Sequence, residues 1–199
     1  MPPPVQEAAV FLTDPPPSAA ADALYAEDVA DHGHVMALSR VWAHRPELQT
    51  GLVDLLAAAG AGLTLRQRGL LVTAAAAARE DGYCALAWGT RLAAAAGDDV
   101  AVAALTAEDA ALGADDRALV RFARQAARDP NGTTAADVQA LREAGLDEAA
   151  VLSLTVFVAL RVAFATVNGA LGAAPDPELA AAAPAAVRDA VRFGRPAGG

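Results

Sequence analysis

No lysine occurs in this chain of 199 residues; all fifteen basic side chains are arginines. Schiff-base chemistry and a P-loop, which both use a lysine amine, are therefore excluded. Cysteine is nearly as scarce, with Cys84 alone. One cysteine closes no intrachain disulfide and supplies no thiolate set for a structural zinc site, and this usage fits a reducing, cytoplasmic setting. Positive charge is also short: the net charge is −9 and the pI about 4.7. Such a surface repels phosphate backbones, so no nucleic-acid partner is expected. The start, Met1-Pro2-Pro3-Pro4, lacks the charged and apolar regions of a signal peptide. The most apolar stretch, Ala149 to Leu160, ends at Arg161. It is too short to span a bilayer and reads as a buried core helix, with no membrane partner. Strand-like alternation is absent beyond a few residues.

Alanine dominates what is present. Apolar residues form 55% of the chain and aromatics only 5%. Alanine is the strongest helix former, so an all-α bundle is predicted. Alanine lets helices approach closely but buries little area per residue, which favours association into a homo-oligomer. Three regions are expected: a proline-rich arm over 1–17, a helical domain over 18–183, and a C-terminal helix and tail over 184–199. The arm either wraps a neighbouring subunit or moves freely. Ser18 is placed to cap a first helix that ends before Gly33. Pro46 suits the first turn of another, ended by Gly60 and Gly62. Further helices are expected over 35–43, 98–106, 115–128, 134–144, 147–171 and 184–192.

The centre of the domain is predicted to be an antiparallel pair, Leu65 to Arg79 and Tyr83 to Ala96, broken by Glu80-Asp81-Gly82. Cys84 then lies in the first turn of a helix, where the dipole and free N–H groups favour a thiolate. Arg79 or Arg91 would add to this, and Glu80 and Asp81 would oppose it. Trp88 follows four residues later on the same face. It either stacks on a flat ligand or plugs a pocket. Tyr83 either exchanges a proton or packs. Arg161, inside an apolar helix, needs partners. It either pairs with Glu80 or Asp81 or clamps a substrate carboxylate. His34 is a candidate general base. His32 and His34 have a metal-ligand spacing without a third ligand, so no metal is expected. Arg66 and Arg68 read as solvated, and His44 as a surface or capping residue.

Two segments carry a resemblance: Thr64-Leu65-Arg66-Gln67-Arg68-Gly69-Leu70, and Tyr83-Cys84-Ala85-Leu86-Ala87-Trp88-Gly89. Together they resemble the core of the AhpD-like family, the alkylhydroperoxidase D and carboxymuconolactone decarboxylase proteins. His34-Val35 with Arg45-Pro46-Glu47-Leu48, and Arg161 to Gly172 with Pro175-Asp176, resemble segments of its peroxidase-related members. The resemblance implies an AhpD-like helical bundle. The family's proton-handling glutamate falls on Gly69, its resolving cysteine on Asp81, its peroxidatic cysteine on Cys84 and its histidine on Trp88. Only Cys84 is kept, leaving a degenerate motif.

Three functions are consistent with these residues. One is a non-redox enzyme without a cofactor, acting on an organic acid or specialised metabolite. It depends on the pocket around Trp88, Tyr83, His34 and Arg161; across all readings the catalytic candidates are Cys84, His34 and Tyr83, with Gly69, Asp81, Trp88 and Arg161 around the substrate. The second is a one-cysteine alkylhydroperoxidase using Cys84. The third is a non-catalytic oligomeric binding protein.

Overall fold

The computed structural model describes residues 10–197. Among them are eleven α-helices, two short 3-10 turns and no strand. The helices are α1 (Ala19–His32), α2 (Ala37–Trp42), α3 (Pro46–Ala59), α4 (Leu65–Ala78), α5 (Gly82–Ala96), α6 (Asp98–Thr106), α7 (Ala114–Arg128), α8 (Ala135–Glu143), α9 (Glu148–Ala170), α10 (Pro177–Ala182) and α11 (Ala185–Ala190). The predicted helices are all present. Helix α10 was not foreseen, because Pro175 and Pro177 read as breaks; Pro177 instead occupies the first turn, where a proline costs no hydrogen bond.

Local chemistry accounts for the boundaries. The Ser18 hydroxyl accepts from the Ala21 N–H, and α1 stops at Gly33 with φ +82°, a conformation that favours glycine. Thr64 and Gln67 form a reciprocal capping box on α4. Asp81 caps α5 through the Cys84 N–H, and Asp147 caps α9 through that of Ala150.

Helix α4 is the hub and packs on α5, α6, α7 and α9. Leu70, Leu71, Thr73 and Ala74 on α4 are fully buried. Helix α9 packs on α3, α4, α7 and α8 through Val151, Leu154, Val158 and Phe164. Its 23 residues have a mean hydropathy of 2.1, enough by length and composition to cross a membrane. Read as a buried core helix, α9 buries one face in the core, while Leu152 on the other is 65% exposed. Helix α11 seats Val187, fully buried, against Gly89 of α5.

The expected proline-rich arm lies in part (1–9) outside the described residues. The remainder packs on its own chain. Val10 is buried, and the Phe11 N–H donates to the Leu171 carbonyl at 2.9 Å. His44, read as a surface or capping residue, bonds through Nε2 to the Thr13 carbonyl at 2.9 Å. Arg66 and Arg68, read as solvated, are partly exposed and also bonded to the chain. Arg66 reaches Asp116 of α7 at 2.6 Å, and Arg68 donates to the Gly60 carbonyl at 2.7 Å, satisfying the end of α3.

Candidate functional site

A cavity of about 460 Å³ opens between α5, α9, α10 and the α1–α2 connection. Tyr83, Cys84, Trp88 and Arg91 reach it from one side of α5, as spacings of three and four on a helix require. Arg161 and Phe164 enter from α9, and His34, Asp176 and Glu178 close the far end. Leu38, Leu56 and Leu179 supply apolar wall. Five of the sequence-derived candidates, Cys84, His34, Tyr83, Trp88 and Arg161, are thus brought together.

Cys84 is buried, 4% exposed. This environment favours the thiol, not the thiolate that a helix N-terminus by itself would favour. Burial pushes the thiol up to about 12; the Arg161 cation opposes that rise, and Asp81 adds to it. The helix N-terminus does not rescue it, because the Asp81 carboxylate accepts from the Cys84 N–H at 3.2 Å. The guanidinium beside the sulfur is that of Arg161, whose Nη2 donates to Sγ at 3.5 Å.

Arg161 does not form the ion pair with Glu80 or Asp81 considered above. Asp81 turns to its own helix end, leaving Arg161 with the sulfur and with the rings of Trp88 and Phe164, each 5.2 Å away. Its Nε is buried and without a hydrogen-bond partner. Trp88 neither plugs the cavity nor offers an uncovered ring: Arg91 also lies over it at 5.0 Å.

Gly69 is a correction. Expected at the pocket, it instead lies against Leu92 on another side of α5. A Cβ added there would meet Leu92 Cδ1 at 3.0 Å and Cβ at 3.1 Å. The missing side chain is filled by helix–helix contact. Asp81 is a second correction. It does not line the 460 Å³ cavity; it borders a cleft of about 380 Å³ with Arg79, Glu80 and Arg195 and a small crevice shared with Cys84 and Arg161, and its carboxylate caps α5.

Asp176 was not singled out from the sequence, yet it organises the far end. It is 8% exposed. Its Oδ2 accepts from the Tyr83 hydroxyl at 2.5 Å, and its Oδ1 accepts from the Ala37 N–H at 2.9 Å. Burial, then the Asp176 hydrogen bond, pushes Tyr83 well above the ordinary phenol range, so its proton stays on. His34 Nε2 lies 3.9 Å from Asp176 and 3.7 Å from Glu178, buried and without a hydrogen-bond partner. His34 Nδ1 faces the His32 carbonyl at 3.1 Å. A carbonyl only accepts, so Nδ1 carries a proton, and Nε2 is the ring atom left for the cavity. Asp28, 4% exposed, holds the Met36 N–H and so fixes the α1–α2 connection that carries His34. The signals for both aspartates were faint: an Asp within Pro175-Asp176-Pro177, and an Asp on the apolar side of a predicted helix. No group of three or more His, Cys, Asp or Glu placed to hold a metal occurs among the described residues.

No protein-family model matches the chain, and no curated protein matches it. Solved structures do. An uncharacterised peroxidase-related protein of Ralstonia eutropha JMP134, described as an alkylhydroperoxidase AhpD core, superposes with TM-score 0.71 at 24% identity, covering 86% of this chain and 94% of its own. A peroxidase-related protein of Silicibacter sp. TM1040 gives 0.74 at 17%, covering 86% and 94%. The debrominase Bmp8 gives 0.69 at 13%, covering 87% and 92%; another structure of it is a Cys-to-Ala variant in complex with 2,3,4-tribromopyrrole. At these identities the likeness establishes the fold. The AhpD-like helical bundle that the sequence resembles is the one the chain adopts.

Proposed function

We propose that this protein binds a small organic acid in the cavity beside Cys84 and acts on it by acid–base chemistry, without redox turnover. The observation that carries the reading is the state of Cys84. Its thiol is buried and pushed up to about 12, and the chain has no second cysteine for a disulfide cycle. A thiol peroxidase needs a thiolate near neutral pH. The same cavity, about 460 Å³, has the size and the largely apolar lining of a small-molecule site. His34 Nε2 is the group placed to take a proton from a bound acid. Arg161 is the cation placed to hold a carboxylate, and Tyr83, kept protonated, donates a hydrogen bond to Asp176. The Bmp8 complex supports a small-ring ligand for this fold, since that debrominase takes a tribromopyrrole. No cofactor enters the proposed chemistry.

Intact mass after stoichiometric cumene hydroperoxide, with a sulfenic-acid trap, tests this on wild type and Cys84→Ser. No rapid adduct is expected. Rapid trapping that vanishes in the variant would overturn the reading in favour of a one-cysteine peroxidase, for which the Arg161–Sγ contact would be the activating feature. A panel of carboxylates in a thermal-shift assay separates the enzyme from a non-catalytic binding protein once turnover is followed on any acid that binds.

The proposal includes a homo-oligomer. Leu55 of α3 and Leu152 of α9 are 57% and 65% exposed. Covering such side chains with a second copy stabilises both. A monomer mass by light scattering would remove this part of the proposal.

A further inference from the structure

One end of the cavity holds two positive charges that its own residues leave unpaired. Arg91 and Arg161 place their guanidinium carbons 5.0 and 5.2 Å from the centre of the same Trp88 ring. Among the described residues, neither lies within ion-pair distance of a carboxylate. Acids are not lacking. The chain carries a net charge of −9, and Asp176 and Glu178 line the same cavity, but they face His34. Two guanidinium groups beside one indole repel each other. Burial first, then the Arg161 cation, pushes Arg91 below the ordinary guanidinium range. Both nonetheless remain cations at neutral pH.

The two cations keep a specific capacity. A guanidinium held beside an aromatic ring makes no hydrogen bond to it through its N–H donors, which stay available to other acceptors. Those donors match the two oxygens of a carboxylate in parallel hydrogen bonds. The Arg161 Nε is already buried and lacks an acceptor. Beyond the cations, Leu56, Phe164 and Leu179 line the cavity, an apolar wall for the body of a ligand.

We infer that Arg91, Trp88 and Arg161 form a carboxylate subsite with two guanidinium arms. The ligand is a carboxylic acid with an apolar body, its carboxylate between the arms and its other end towards His34 and Asp176. This deepens the organic-acid reading and rests on it. What it adds is Arg91, which lies on α5 three residues beyond Trp88 and seven beyond Cys84.

Benzoate and its neutral analogue benzamide test the subsite. Each is titrated at constant ionic strength into wild type, Arg91→Gln and Arg161→Gln. Trp88 emission is read against a Trp88→Phe background; Trp42, the other tryptophan, is buried and bonded to Asn168. Wild type is expected to bind benzoate about tenfold more tightly than benzamide. Arg91→Gln is expected to lower benzoate affinity about fivefold or more and to remove most of the preference. Arg91 is covered by the cavity wall on one side and open to solvent on the other, so this variant is expected to fold, which its melting temperature checks. A preference for benzoate kept in Arg91→Gln but lost in Arg161→Gln overturns the two-armed subsite and leaves the organic-acid reading standing on Arg161. Equal binding of both probes in wild type, or no saturable benzoate binding, overturns the subsite and the organic-acid reading together.

Discussion

Helix α5 has two contrasting sides. On one, Gly69 of α4 comes so close to the fully buried Leu92 that even a Cβ would have to displace it. On the other, Tyr83, Cys84, Trp88 and Arg91 face a cavity of about 460 Å³. Gly69 leaves no space on the closed side, because Leu92 of the facing helix fills it, whereas Cys84 and Trp88 lie on the open side. Trp88 borders a largely apolar cavity whose polar groups come from α5 itself, through Tyr83, and from other segments, through His34 and Asp176. The lesson is that neighbouring positions on two packed helices have unequal consequences, decided by what packs against each.

The contrast can be broken first at Gly69. Gly69→Glu forces a carboxylate into Leu92 and is expected to cost roughly 4 kcal/mol or more, from overpacking and an unpaired buried charge. Urea denaturation measures it; a variant as stable as wild type would show that this side is open after all.

Next in size is the far end of the cavity. Asp176→Ala removes the acceptor of both the Tyr83 hydroxyl and the Ala37 N–H. A loss of about 3 kcal/mol is expected, since two buried donors are left unsatisfied. Asp176→Asn, which retains an amide oxygen, should recover part of it. If the alanine variant melts with wild type, Asp176 does not organise this end.

Alkaline pH probes Cys84. Its thiol titrates higher in the folded chain, at about 12, than its ordinary value of 9.0. The folded state therefore holds this proton more tightly, and the resulting stability is fully present below pH 9 and lost as pH rises towards 12. Wild type should lose on the order of 1 kcal/mol more than Cys84→Ser between pH 8 and pH 10. Parallel pH profiles of the two proteins would place Cys84 in a wetter site than its burial indicates.

The smallest effect is expected at Trp88. Trp88→Phe keeps an aromatic face at the partly exposed wall and should cost less than about 1 kcal/mol. A larger loss would mean that the open side is packed as tightly as the closed one.

Much of this molecule was readable in one dimension. Ser18, Thr64, Asp147 and Gly33 announced the ends of their helices through capping and backbone preference, both local effects. Tyr83, Cys84 and Trp88 share a side because helical spacing places them there. Arg161 stood out as a charge in an apolar helix. The other site residues were hidden because their roles depend on long-range approach. Asp176 lies 93 residues from the Tyr83 it bonds and 139 from Ala37. Arg91 was read only as a cation near Cys84; its place beside Arg161 on one indole needed α9 to bring the two together. Gly69 and Asp81 were assigned to the pocket by family position, whereas Leu92 and the end of α5 claimed them.

What the sequence determined by itself was the helical class, the order of elements, and the impossibility of a two-cysteine cycle, because propensity, capping and the count of thiols need no third dimension. Only the tertiary structure decided that the lone thiol is held protonated, that one family position is filled while its neighbour borders a cavity, and that two arginines lack acids. Burial, close approach and charge pairing are properties of segments far apart in the chain, and they take values only once those segments meet.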